Sequence, residues 1–106
     1  MKLGLAGDTM LGREVAEAIV EHGSDAVVTD DVVAVAHEAD LLVLNLECCL
    51  SERGERWPDP RKPFFFGSPP AATEVLTRLG IDCVTLANNH ALDYGAEALL
   101  DTLAHI

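Results

Sequence analysis

The chain has 106 residues, of which 49% are hydrophobic and 24% charged, so it is long enough for one domain and too short for two of ordinary size. Its 18 acidic and 7 basic residues give a net charge of −11, and the basic residues are interleaved with acidic ones, so we expect no nucleic-acid partner. The apolar runs are too short for a membrane span or a secretory signal, so we expect a cytoplasmic protein.

The first part of the chain alternates between strand and helix patterns. Residues 2–6 form a short apolar segment that is typical of a strand. Apolar residues then recur at helical spacing over 11–21, which predicts a helix. A second helix is predicted over 32–39, with Asp30 and Asp31 before it as candidate N-caps.

The second part repeats this alternation around a long loop. The apolar run 41–46 predicts a strand that is covered by helices on both faces. Periodicity is absent over 47–70, where prolines and glycines predict an irregular loop. A helix is predicted from Ser68 to Leu79, a third strand over 81–87, and a final helix after Gly95.

This order of elements predicts an α/β fold in one unit over residues 1–106, with a small, mostly parallel sheet of three strands flanked by helices. A chain that ends on a helix, without a fourth strand, suggests part of a larger fold. An open edge strand can pair with another chain, so we expect a homo-oligomer formed through the exposed sheet edge.

Three cysteines are present, and two of them are neighbours in the sequence. Adjacent cysteines point apart in an extended backbone, and no zinc-binding spacing occurs, so a disulfide or zinc framework is not expected. We predict that Cys48, Cys49 and Cys83 are small buried residues.

Polar residues follow all three predicted strands. The carboxyl ends of parallel strands meet at one edge of a sheet, so we expect these residues to converge in a crevice. Carboxylates, amide oxygens and an imidazole suit Mg²⁺, Mn²⁺, Fe or Zn²⁺ better than copper. The set is Asp8, Asn45, Glu47, Asn88, Asn89 and His90.

Each of these residues also has a structural interpretation. Asp8 or Thr9 suits capping of the first helix, and Glu47 suits a solvated loop. The two asparagines suit a turn, and a single histidine such as His90 is more often a satisfied surface residue than a ligand. Their common position at three strand ends favours the functional interpretation.

Four runs of the sequence resemble successive motifs of the CapA-type poly-gamma-glutamate capsule-biosynthesis proteins, which are relatives of the calcineurin-like metallophosphoesterases. The resemblance implies the N-terminal part of a metallophosphoesterase-like layered fold. The runs are Gly-Asp-Thr-Met-Leu-Gly-Arg at 7–13, Asn-Leu-Glu at 45–47, Lys62 with the phenylalanines at 64–66, and Leu-Ala-Asn-Asn-His-Ala-Leu-Asp-Tyr-Gly at 86–95.

The resemblance also implies roles for individual residues. Asp8 stands at the first metal-binding aspartate of the superfamily, and Asn89 at its metal-binding asparagine. His90 stands at the histidine that donates a proton or hydrogen bond near the leaving group. Glu47 or Asn45 corresponds to the carboxylate that bridges two metals.

Two departures from the family pattern affect the expected metal site. Met10 stands where the superfamily has a histidine ligand, and a thioether is a poor ligand for a hard cation. The family's further histidine motifs do not occur before Ile106. We therefore expect a divalent metal, Mn, Mg, Fe or Zn, to bind this chain weakly.

Two basic residues are candidates for binding an anionic small-molecule or polymer substrate. Arg13 follows the first motif and Lys62 lies in the long loop, although solvated basic side chains are an equally good interpretation of both. The three phenylalanines after Lys62 either cover the site or anchor the loop on the core, and anchoring is the commoner role.

The leading hypothesis is the N-terminal portion of a CapA-like, metal-dependent hydrolase, linked to poly-gamma-glutamate capsule biosynthesis. It would act on a phosphoester or an amide-type polymer linkage, with Asp8 and His90 as the catalytic residues. The alternative is a non-catalytic binding or assembly module with the same fold.

Overall fold

The computed structural model describes all residues, 1–106. Two short 3₁₀ turns at Ser24–Ala26 and Pro70–Ala72 interrupt the regular elements. The strands are β1 (Leu3–Thr9), β2 (Leu41–Leu46), β3 (Cys49–Leu50), β4 (Gly67–Ser68) and β5 (Cys83–Thr85). The helices are α1 (Arg13–His22), α2 (Asp30–Ala36), α3 (Thr73–Leu79) and α4 (Gly95–His105).

The main sheet has three parallel strands in the order β1-β2-β5, which confirms the predicted fold class. Its register places Asp8 opposite Asn45, and Asn45 opposite Thr85. β1 extends to Thr9, beyond the predicted end, because an irregularity between Leu5 and Asp8 restores its pairing with β2. One polar residue of each strand therefore lies in a single row across the sheet.

The central strand β2 is covered less evenly than its sequence predicts. Leu42, Leu44 and Leu46 are buried, whereas Leu41 is 43% exposed and Val43 is half-buried. The face that carries Leu42, Leu44 and Leu46 is therefore closed by the core, and the opposite face is less buried than predicted.

The long loop is more regular than predicted. Within it, β3 and β4 pair in parallel as a second, two-stranded sheet. The hydroxyl of Thr102 on α4 accepts a 2.8 Å hydrogen bond from the backbone N–H of Leu50, and Ser51 donates one of 2.6 Å to Asp101. These side-chain contacts come from the last helix, so the local sequence of the loop does not reveal them.

The helix termini correct two of the sequence interpretations. Helix α1 is preceded by Gly12 and has no side-chain cap, so neither Asp8 nor Thr9 caps it. Helix α2 begins at Asp30, and no side chain caps it either. The predicted end of α3 is confirmed, because Gly80 adopts the left-handed conformation with φ of 70°.

The core lies between β2, the second sheet and helices α1 and α3. Its members are Leu11, Ile19, Leu44, Leu46, Cys48, Leu50, Ala72, Val75 and Leu76. Burial raises the pKa of the Cys48 and Cys49 thiols to about 11. Cys83 is exposed, which contradicts the prediction that all three cysteines are buried; β5 is the outer strand of the main sheet.

Strand β1 forms the other edge of the main sheet and is exposed. Leu3 is 51% exposed and Leu5 is 75% exposed, beside a groove of about 640 Å³ between β1 and α2.

None of the helices combines the length and the apolar character needed to cross a bilayer.

Candidate functional site

The row of polar residues across the sheet is joined by hydrogen bonds. Asn45 at its centre donates from Nδ2 to Oδ1 of Asp8 over 2.8 Å. Its Oδ1 accepts a hydrogen bond of 2.9 Å from the hydroxyl of Thr85. Asn45 therefore links all three strands near their carboxyl ends, and it orients the exposed Asp8 carboxylate.

Asn88 extends this network to the loop that follows β5. Its Nδ2 donates to Oδ1 of Asn45 over 3.1 Å and to the carbonyl of Leu46 over 2.9 Å. Its own Oδ1 accepts the backbone N–H of His90 over 2.9 Å. A continuous set of hydrogen bonds therefore runs from Asp8 to His90.

The His90 side chain is buried and tightly held. Its Nδ1 lies 2.6 Å from Oδ2 of Asp93, whose side chain is fully buried. The Phe66 ring stacks on the imidazole with centroids 3.9 Å apart, and the Phe66 N–H donates to the same Asp93 oxygen over 2.7 Å. His90 Nε2 makes no hydrogen bond within the chain and is not fully buried, so it is the ring nitrogen that remains available.

Lys62 contacts this group from the long loop. Its ammonium lies 2.7 Å from Oδ1 of Asp93 and donates to the backbone carbonyl of Asn89 over 3.1 Å. The Lys62 side chain is only 18% exposed. Its charge therefore balances a buried carboxylate of the chain itself.

Arg13 and Arg56 form no ion pair with a carboxylate, and each lies over a phenylalanine ring. Arg53, Arg61 and Arg78 pair with carboxylates, whereas the Arg13 guanidinium lies over the Phe64 ring, 5.5 Å from its centroid. Phe64 in turn stacks on the ring that covers His90. An exposed cation therefore lies at the end of a stack that leads to the imidazole.

The remaining predicted residues take peripheral positions. Glu47 is half-buried, and its backbone N–H bonds to the carbonyl of Thr9. The Asn89 side chain is exposed. Sequence reasoning missed Thr85 and Asp93; Asp93 had a signal, because it lies three residues after His90 in the longest motif, while Thr85 had none.

A comparison with models of protein families shows which family this chain belongs to. The model of the family described as "Bacterial capsule synthesis protein PGA_cap" matches residues 2–106. The chain belongs to the PGA_cap family. The resemblance drawn from the four sequence motifs is thereby confirmed.

Relatives of the PGA_cap chain are capsule and polymer synthesis proteins by name. It is 40% identical over 65 residues to the "Probable polyglutamine synthesis accessory protein" of Mycobacterium tuberculosis, covering 61% of this chain and 17% of that protein. It is 28% identical over 104 residues to the "Capsule biosynthesis protein CapA" of Bacillus anthracis, with 97% of the chain and 25% of the relative covered. It is 25% identical over 103 residues to the "PGA biosynthesis protein CapA" of Bacillus subtilis. The matched segments cover 17% to 27% of these proteins, so the chain spans only about a quarter of their length.

The PGA_cap chain does not by itself assemble a complete metal site. No three His, Cys, Asp or Glu side chains come together in a way that could hold a metal ion. The Oδ1 atom of Asn45 already accepts two hydrogen bonds, which occupy the lone pairs that a metal would use. These residues do not fit a tightly held divalent ion, so the chemistry considered below depends on the residues of the chain alone.

Proposed function

We propose that this chain supplies the proton-transfer part of a hydrolytic site in a capsule-polymer biosynthesis protein. Its substrate is a phosphoester or an amide-type linkage of an anionic polymer. The observation that carries the proposal is the arrangement of His90, whose Nδ1 is held by the buried Asp93 while Nε2 is left without a partner. An imidazole oriented through one nitrogen can transfer a proton with the other.

The proposed chemistry is general acid–base catalysis. During hydrolysis the hydroxyl of water joins the phosphorus or carbonyl carbon, and a proton passes to the leaving oxygen or nitrogen. His90 Nε2 accepts a proton from the attacking water and returns it to the leaving group. Asp8, oriented by Asn45, lies at the other end of the hydrogen-bonded network and gives the site its second polar contact with the reacting groups.

Arg13 provides the proposed contact with the anionic substrate. A net charge of −11 repels an acidic polymer over most of the surface, so one unpaired cation near the site has a large effect on orientation. Lys62 contributes less directly, because its ammonium pairs with Asp93. Arg13 thus defines the side from which the polymer approaches His90.

The proposed metal requirement is a separate part of this hypothesis. Asp8, Glu47 and Asn89 remain the proposed donors, since the oxygen of Asn45 already accepts two hydrogen bonds, and they offer too few free ligands for tight binding. A divalent cation held there would supply Lewis-acid activation of water. The role of His90 does not depend on that step.

The test is a hydrolysis assay on the protein expressed at the full length that its gene encodes. The substrates are an aryl phosphodiester and a γ-glutamyl amide, each measured with Mn²⁺ and with Mg²⁺. We expect His90→Gln to lower the rate by about 10²–10⁴-fold, the usual contribution of general acid–base catalysis. His105→Gln is the matched control, because His105 is exposed at the end of α4. Equal rates for both variants would contradict the proposal.

The second candidate function is a non-catalytic binding or assembly module. The Mycobacterium tuberculosis relative is named as an accessory protein, and this chain lacks a complete metal site. Such a module binds an acidic polymer through Arg13 without cleaving it. Calorimetric binding of poly-glutamate that Arg13→Gln weakens, in a protein that hydrolyses neither substrate, favours this function over the enzyme.

A further inference from the structure

Asp93 is the residue on which the contacts around His90 converge. Its Oδ2 meets the imidazole Nδ1 at 2.6 Å and accepts the N–H of Phe66 at 2.7 Å. Its Oδ1 meets the ammonium of Lys62 at 2.7 Å, and its backbone carbonyl accepts the N–H of Trp57 at 2.8 Å. Four groups, three of them from the long loop, therefore depend on one buried residue.

The charges around Asp93 determine the direction of its hydrogen bonds. A buried carboxylate is costly unless it is paired, and Lys62 supplies the opposite charge. The Oδ2 atom of Asp93 accepts the N–H of Phe66, and Oδ1 faces the Lys62 ammonium as an ion pair without a hydrogen bond, so neither oxygen is placed to donate. The Nδ1 atom of His90 must then be the donor.

We propose that Asp93, with Lys62 as its counter-ion, is a positioning residue that holds neutral His90 in the Nδ1–H tautomer. The lone pair of the imidazole is thereby confined to Nε2, the nitrogen that makes no contact within the chain. The tautomer follows from the contacts alone, and its use in proton transfer rests on the function proposed above.

This assignment changes the role of two residues in the sequence motifs. Lys62 forms an ion pair with Asp93 and a hydrogen bond with the Asn89 carbonyl, so it stabilises the arrangement of the site residues. Asp93 also joins the loop to the imidazole, because the Trp57 and Phe66 N–H groups both end on it. The same residue therefore contacts the loop through its backbone carbonyl and its carboxylate, and the imidazole through its carboxylate.

The experiment is nitrogen-15 NMR of the histidine rings, recorded at rising pH until the ring signals no longer change. In the unmodified chain we expect a proton on Nδ1 of His90. His37 is an internal reference, because its Nε2 lies 2.9 Å from the carbonyl of Arg78 and must carry the proton. The two histidines should therefore show opposite tautomers in one spectrum.

Asp93→Ala tests the cause of this tautomer. One oxygen of Asp93, Oδ2, contacts both the Phe66 N–H and the imidazole, and alanine removes that acceptor, so we expect the His90 proton to be released from Nδ1 and the Nε2–H form to appear in the spectrum. Asp59→Ala is the matched control, since it makes the same chemical change at a carboxylate of the long loop that pairs only with Arg61. It should leave the His90 spectrum unchanged.

Lys62→Met tests the counter-ion while retaining the length of the side chain. Without the ammonium the Asp93 carboxylate is less firmly fixed against His90. We therefore expect the Nδ1 proton of His90 to exchange with water about tenfold faster.

An Nε2–H tautomer of His90 in the unmodified chain overturns the proposal, and that measurement needs no folded variant. Exclusive Nδ1–H in a folded Asp93→Ala variant also overturns it. The hydrolysis assay is independent of both spectra. An Nδ1–H tautomer in a protein without hydrolytic activity leaves this inference intact and removes only the enzymatic function.

Discussion

Asn45 donates a hydrogen bond of 2.8 Å from Nδ2 to Oδ1 of Asp8, between residues that face each other on neighbouring strands. The same Asn45 side chain accepts from Thr85 and Asn88 through its oxygen. An amide is required here because it donates on one side and accepts on the other. Asn45 is thus the residue that aligns the strand-end network, whichever of the two functions the network serves.

Asn45→Asp should therefore destabilise the chain. The carboxylate keeps the contacts with Thr85 and Asn88, but it loses the donor to Asp8 and places a second negative charge beside it. We expect the free energy of unfolding, measured with urea near neutral pH, to fall by about 1–3 kcal/mol.

The control for that experiment is Asn89→Asp, the same substitution at an exposed side chain of the same region. Its effect should stay within about 0.5 kcal/mol. If both variants lose the same stability, charge alone explains the result, and the donor role of Asn45 is wrong.

Divalent cations should bind this chain weakly. With few free donors at the strand ends, we expect dissociation constants for Mn²⁺ and Mg²⁺ of about millimolar order by titration calorimetry. Asp8→Asn should remove the residual signal. Asp25→Asn, which changes an exposed aspartate in the 3₁₀ turn after α1, should not. Micromolar binding that depends on Asp8 would refute the expectation of an incomplete site.

Stability should depend on pH through Asp101. Hydrogen bonds from Arg53 and then from Ser51 hold the pKa of Asp101 well below its ordinary value of 3.8. A carboxyl whose pKa is lower in the folded state contributes stability above its unfolded pKa and loses it as the pH falls toward the folded value. Asp101→Asn should thus be less stable than the unmodified chain near neutral pH.

The difference in free energy of unfolding between Asp101→Asn and the unmodified chain should disappear as the pH falls below about 3.8, the ordinary pKa of this carboxyl group. Urea unfolding at a series of pH values measures it. Glu52→Gln is the control, since it removes a neighbouring exposed acid that forms no ion pair with Arg53. A stability gap that stays constant down to the lowest pH would show that charge pairing at Asp101 is not its source.

Self-association should occur through the exposed edge of β1. Leu5 is 75% exposed on an edge strand whose outer backbone groups have no neighbouring strand. We expect light scattering to detect dimers or larger species at tens of micromolar, roughly the range in which such edges associate. Leu5→Lys should return the chain to a monomer.

Leu100→Lys is the matched control for the edge experiment. Leu100 is 64% exposed on α4, and the substitution changes the net charge by the same amount. A chain that is monomeric before substitution, or one that both lysine variants dissociate equally, contradicts pairing through β1.

The sequence alone predicted the three strands of the main sheet, the four helices and the family, but not the strands β3 and β4. Apolar periodicity is a local property, and the strand over 41–46 and the left-handed Gly80 both follow from residues close in the chain. The convergence of Asp8, Asn45 and Asn88 was also predictable, because the ends of parallel strands share an edge.

Only the tertiary structure decided how those residues are used. No local pattern indicated the contact of Thr85, because its partner Asn45 lies 40 positions earlier, and the motif that contains Asp93 did not reveal its contact with Phe66, 27 positions earlier. Lys62 looked like a substrate contact in the sequence, yet its ammonium balances a buried carboxylate. A side chain's role depends on which charges and donors surround it after folding, and those neighbours are brought together by the packing of the long loop against the strand ends.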